Sequence, residues 1–233
     1  MVLLITIWYI FIALIPGIFW IWFYRKKDRK DPEPLKLIAK VFLWGMIITV
    51  PAVVFEFAAD FFISFTQTKN LLIFILSAFF IIAPIEECLK YFVIKKKAYD
   101  HPAFNEPLDG IIYGVVAGLG FASLENILVI FSLGQEVIFL RFATATLMHA
   151  LTSGIVGYYL GIVKFIKDKT KEKSFIFRGL IIATVLHGFY NTLASVETWL
   201  SFSLLILLLI VMYLSLAQKI KKIKNSKNQT YKK

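Results

Sequence analysis

Seven long apolar runs joined by short polar connections constrain this chain more than any other feature. They cover residues 2–24, 37–60, 71–94, 108–131, 137–165, 177–196 and 200–217. About 20 apolar residues in a helix cross the hydrocarbon core of a bilayer, and a segment in lipid must satisfy its own backbone hydrogen bonds. The pattern predicts an all-α fold, a polytopic transmembrane helical bundle of about seven spans. Composition agrees, with 59% hydrophobic and 18% charged residues and a mean hydropathy of +0.75. A soluble domain is about half apolar and about a quarter charged. The 233 residues read as one integral membrane domain over 1–218 and a basic cytoplasmic tail over 219–233.

The net charge of +11 is arranged by position. Basic tracts at 25–30, 95–97, 164–173 and 219–233 each lie beside an apolar run. With the N-terminus outside, all of the 26 Lys and Arg residues except Lys69 and Arg141 fall on the cytoplasmic side. The positive-inside rule then predicts an N-out, C-in topology in the cell membrane. The partner of these charges is the lipid bilayer and not nucleic acid, since no basic face carries aromatic or polar readers. The tail from Lys219 is expected to fray and to rest on anionic headgroups. The first run lacks a positive n-region and a small-residue cleavage site, so it reads as a retained anchor. The single cysteine, Cys88, excludes an internal disulfide.

Two runs carry small-residue stripes, Gly110, Gly114 and Gly118 on the fourth and Gly157 and Gly161 on the fifth. Stripes of this kind let helix backbones approach closely in lipid, and plain helix packing is their reading here.

The same runs contain ionisable residues that a passive span lacks. Glu86, Glu87 and Lys90 stand together in the third run, with Lys90 spaced to pair with either carboxylate. A carboxylate at a helix centre costs about 2.5 kcal/mol or more by insertion scales. Snorkelling offers a bland account, but Glu86 lies nine residues, roughly 13 Å of helix, before Lys95. Glu125 lies well inside the fourth run beside Asn126. His149 precedes Ser153 by one turn in the fifth run, and His187 precedes Asn191 in the same way in the sixth. Spacing of four places each pair on one helix face. Glu56, Asp60 and Arg141 are expected near the outer interface, able to pair with one another and without a catalytic role.

Carboxylate plus imidazole is the equipment for activating water, and an imidazole with an amide can stabilise an oxyanion. Histidines and Glu could equally hold zinc with one open position. No His-Glu-x-x-His and no Gly-x-Ser-x-Gly is present, which leaves Ser153 and Cys88 as weak nucleophile candidates. Helix counting puts Glu86 in the cytoplasmic half of the bilayer and Glu125 in the outer half. A shared site therefore needs a tilted, shifted or broken span, for which Pro84 is the candidate.

Glu-Glu-x-x-Lys at 86–90, Phe-x-x-x-Glu at 121–125, His-x-x-x-Ser at 149–153 and His-x-x-x-Asn at 187–191 resemble, in order, the motifs of PrsW-type intramembrane proteases. That group is related to CAAX prenyl endopeptidases and bacteriocin-protection proteins. The resemblance implies a catalytic core over about 71–196 that cleaves a membrane-spanning protein substrate, such as an anti-sigma factor at its first cut. By position it implies Glu86 or Glu87 as the water-activating base, with Glu125 and His149 beside it. His187 and Asn191 would polarise the scissile carbonyl, and Lys90, Ser153 and Phe121 would support the site. A metal, with zinc the candidate, would fall to Glu125, His149 and His187. Asn191 departs from the Asp more usual there. Glu125 in place of His, and the spacing of Lys90, separate the chain from the prenyl endopeptidase branch.

Two other readings are consistent with the same residues. Buried carboxylates and histidines relay protons in ion-coupled transporters. Polar residues also glue helices in membrane scaffolds, although glue needs Ser, Thr or Asn and not three carboxylates with two histidines.

Overall fold

The computed structural model describes residues 2–26, 31–67, 70–134, 138–196 and 198–230. Residues 27–30 of the first basic tract, Lys69, Val137 and residues 231–233 of the tail lie outside them. Among the described residues the regular structure is entirely helical. The helices are α1 (Val2–Arg25), α2 (Leu35–Ile63), α3 (Leu71–Lys97), α4 (Pro107–Leu133), α5 (Ile138–Ala143), α6 (Ala145–Phe165), α7 (Glu172–Ser195) and α8 (Trp199–Thr230). Seven spans are long and apolar enough to cross a membrane, with α5 and α6 forming one of them. Large side chains such as Phe57, Phe61, Phe62, Phe80 and Trp199 point outward, as lipid-facing residues do.

The fifth run and the ends of two others differ from the apolar pattern. The fifth is interrupted at Thr144, whose hydroxyl donates to Leu140 O at 2.8 Å. α7 begins at Glu172, a turn before the sixth run. α8 does not fray at Lys219 but continues to Thr230. Ile220 and Ile223 are buried there, so the stripe running through Leu216 extends the helix into the basic segment.

The centre of the bundle is the pair α4 and α6, the most enclosed spans. Their glycine stripes interlock. A Cβ on Gly110 would overlap the backbone of Gly157 and Gly161, one on Gly114 the carbonyl of Ser153, and one on Gly118 the carbonyl of His149. A second close approach joins α2 to α4, where Gly45 lies against Ala117 and Gly120 against Phe42. Thr49 of α2 donates across this seam to Phe121 O at 3.3 Å. α7 packs on α6, α3 and α8, and so closes the centre from the side opposite α2. The seam of small residues is what fixes the height of His149 against α4.

Candidate active site

α3 supplies two carboxylates and a cation from one face. Residues Ala78–Ile82 form a π-helical turn immediately before Pro84. Proline cannot donate to the ladder, and π-turns recur where a helix is reshaped at a functional site. Beyond this turn Glu86, Glu87 and Lys90 are all buried, with Lys90 only 1% exposed. Lys90 was counted above with the cytoplasmic charges, but its ammonium points into the bundle. It donates to Glu87 Oε1 at 2.7 Å, to Glu86 Oε2 at 3.2 Å and to His149 Nδ1 at 3.0 Å.

That last bond settles the chemistry of His149. An ammonium only donates, so Nδ1 is the accepting nitrogen and Nε2 carries the hydrogen. Nε2 lies 2.7 Å from Glu125 Oε2. His187 repeats the arrangement in reverse, with Nδ1 at 2.9 Å from Glu87 Oε1. Its other nitrogen, Nε2, faces Glu86 Oε2 at 3.9 Å, and His149 Nδ1 faces the same oxygen at 3.7 Å. The two rings meet edge to face, with centroids 5.2 Å apart. Each imidazole is thus backed by a carboxylate and turns its other nitrogen towards Glu86, with the His149 Nδ1 lone pair taken by Lys90. The depth problem is solved by His149, which reaches Glu86 with one nitrogen and Glu125 with the other.

Other residues singled out in the sequence sit at varying distances from this centre. Phe121 is buried with its ring 5.4 Å from that of His149 and beneath Lys90 Nζ at 4.5 Å. Ser153 is buried against Gly118, and its Oγ has no hydrogen-bond partner among the described residues. Asn191 is half-buried one turn beyond His187 and forms no hydrogen bond to the cluster among the described residues.

Two contributors were not legible as such. Thr152 donates to Glu87 Oε1 at 3.0 Å, completing three donors on that oxygen, while Glu87 Oε2 is buried with no hydrogen-bond partner among the described residues. The spacing of three between His149 and Thr152 fits one helix face, as does the spacing of four of Ser153. Arg141, set aside as a bystander, pairs with Glu125 Oε1 at 2.9 Å and donates from Nε to Asn126 Oδ1 at 3.0 Å. Asp60 accepts from Thr66 and not from Arg141, and Glu56 keeps a buried Oε1 without a hydrogen bond among the described residues. Glu56, Asp60 and Arg141, which could have paired with one another, do not, because Arg141 turns inward to Glu125, which has no other Lys or Arg partner among the described residues.

The donor set suits a metal ion. Glu86, His149 and His187 each offer a ligand atom, all within 4.8 Å of one another. Tetrahedral zinc with bonds of about 2.0–2.2 Å holds its donors roughly 3.4 Å apart, so small movements close the gap. Carboxylates behind both histidines supply the outer shell that such sites use to fix ring orientation. Within this group the carboxylate is Glu86, whereas Glu125 stands behind His149.

Fold and centre together define a class, a multi-pass membrane protein with carboxylates and imidazoles enclosed in its helical bundle. Residues 33–217 match the family model described as PrsW family intramembrane metalloprotease, and the chain belongs to that family. It is 31% identical to Protease PrsW of Bacillus subtilis (strain 168), over 82% of this chain and 85% of that one. Identity to Protease PrsW of Clostridioides difficile (strain 630) is 30%, over 94% and 93% of the two chains. Against Protease PrsW of Oceanobacillus iheyensis it is 36%, over 70% and 72%. No solved structure matches the chain significantly. The protein is a membrane-embedded peptidase of the cell membrane.

Proposed function

We propose that the chain is an endopeptidase that hydrolyses a peptide bond of a membrane-anchored protein at the Glu86–His149–His187 centre. The observation that carries this reading is the convergence of two carboxylate-backed imidazoles on Glu86. Zinc is the ion these donors suit, and when bound it would acidify a water and polarise a carbonyl. Glu86, His149 and His187 would hold it, while Glu125 and Glu87 keep the two rings in register. Glu87 would take the proton from water, a role supported by its Oε2 having no hydrogen-bond partner among the described residues. Asn191, one turn beyond His187, has an amide free to donate to the scissile carbonyl.

The substrate we propose is a membrane-spanning anti-sigma factor, cut at its first site. A helix must unwind before an amide can be attacked, and unwound backbone in lipid needs hydrogen-bond partners. A cavity of about 810 Å³ between α4, α5, α7 and α8 meets that need. Its walls are apolar but include Arg141, Thr144, Tyr190 and Ser201, and Arg141 connects it to Glu125. An N-out, C-in orientation, with the 219–233 segment cytoplasmic, supports entry from the outer leaflet. Family membership favours this reading over an ion-coupled transporter.

The test is cleavage of a co-reconstituted single-span anti-sigma-type substrate. Glu87→Gln and His187→Ala are expected to insert and fold normally and to lose cleavage at least 10³-fold, the scale of removing a group that acts in the reaction. Full cleavage by both variants would sink the site. Loss of activity on chelation, restored by zinc, is expected for the metal-assisted form.

A further inference from the structure

The metal-assisted reading above leaves a cation unexplained. Lys90 Nζ sits at 3.2 Å from Glu86 Oε2 and 3.0 Å from His149 Nδ1, atoms that lie 3.7 Å apart on two of the three residues of the metal group. Its third bond, to Glu87 Oε1 at 2.7 Å, uses the last of its three N–H donors. Lys90 and the polar groups around it are almost wholly enclosed.

We infer that Lys90 is a resident cation that holds this centre closed in place of a metal ion and must leave His149 Nδ1 before one binds. The conflict is one of valence. An imidazole nitrogen has one lone pair in the ring plane, and His149 Nδ1 cannot give it to an ammonium hydrogen and a metal together. Glu86 has lone pairs to spare, so the conflict is confined to Nδ1. A divalent ion about 2 Å from Nδ1 would also face an ammonium roughly 3 Å from the same atom, at strong repulsion in a low-dielectric setting.

The structure provides a second seat for the displaced lysine. Nζ is already 4.5 Å from the centroid of the Phe121 ring, and its shortest bond, 2.7 Å, is to Glu87 Oε1, which lies outside the metal group. A short swing onto Phe121 keeps the bond to Glu87 and a cation–π contact while freeing Nδ1. Lys90 therefore works in two opposing directions. It stabilises the metal-free bundle by neutralising its buried carboxylates, and it weakens metal binding by occupying a ligand.

The experiment measures zinc binding to the detergent-solubilised full chain by competition with a chromophoric chelator, together with thermal unfolding. Lys90→Met keeps the apolar stem and removes the charge. It is expected to bind zinc at least tenfold more tightly than the unmodified chain, to melt lower in chelator, and to gain more from added zinc. The unmodified chain should melt almost unchanged in chelator. Lys90→Gln, which keeps hydrogen-bonding capacity, gives the same comparison if Lys90→Met folds only with zinc present. Equal or weaker zinc binding by both variants overturns the inference, and so does the absence of zinc binding in all three proteins. Neither readout uses cleavage. A chain that binds zinc as described but cuts no substrate would leave this inference standing and remove the peptidase assignment.

Discussion

Glu125→Gln is the substitution that separates an outer-shell role for Glu125 from a direct one. In the structure its Oε2 lies 2.7 Å from His149 Nε2 and its Oε1 lies 2.9 Å from Arg141. Glutamine has the same shape, and its amide oxygen can still accept the Nε2 hydrogen, so the ring orientation survives. What is lost is the charge assistance of that bond. Hydrogen bonds to charged groups contribute about 1.5–3 kcal/mol against about 1 for neutral ones, a difference of roughly 1–2 kcal/mol. The side chain is 27% exposed, which holds the loss to this range and below that of breaking a fully buried pair. Converted at the transition state, cleavage should fall about 5- to 30-fold, within the scale of outer-shell partners of metal ligands. The assay is the initial rate of substrate cleavage in proteoliposomes, paired with zinc affinity. Combining Glu125→Gln with Arg141→Met should cost less than the sum of the two, since both act through the one carboxylate. A loss beyond 10³-fold would refute the reasoning and make Glu125 a ligand or base itself, with Glu125, His149 and His187 as the metal group. An unchanged rate would refute it from the other side.

Gly118→Ala should place a Cβ against the carbonyl of His149 and 2.7 Å from Ser153 Oγ. Overpacking of this kind costs about 1–3 kcal/mol, and because it pushes the backbone that carries the histidine, cleavage should fall further than thermal stability. The two losses moving in proportion would count against a positioning role for the seam. For topology, a Cys88→Ser background with Thr66→Cys or Lys167→Cys is expected to label from outside intact cells at 66 only, with a membrane-impermeant maleimide. Labelling at 167 alone would invert the proposed orientation.

The seven spans were legible because the bilayer imposes a length and a polarity that few other environments require. The four polar motifs were legible for the same reason, since a carboxylate or imidazole in an apolar run has to be accounted for. What the sequence did not disclose depends on which side chains meet across helices. Arg141 read as an interfacial charge because periodicity does not show that α5 ends before α6 and turns that residue towards Glu125. Thr152 and Ser153 both lie within a turn of His149, and only the packing of α6 on α3 selects Thr152 for Glu87. The division of labour between Glu86 and Glu125 was hidden by the same limit. Helix counting set them in opposite halves of the membrane, and the π-turn at Ala78–Ile82 with the reach of one imidazole brings them onto a single residue.

Burying this many charges is tolerable only if each finds a partner. Glu87 is met by Lys90, Thr152 and His187, and Glu125 by Arg141 and His149. Glu86 is the least served, sharing Lys90 at the longer distance of 3.2 Å and facing the lone pair of His187 Nε2 at 3.9 Å. Three carboxylates stand against two cations within bonding reach, so the cluster carries an excess negative charge while both histidines are neutral. That excess lies at Glu86, where the lone pair of His187 Nε2 also points. The centre therefore favours one further positive charge at this place, whether a proton shared with an imidazole or a divalent ion. A divalent ion seated there would offset that excess and lower the cost of ionising a water bound to it.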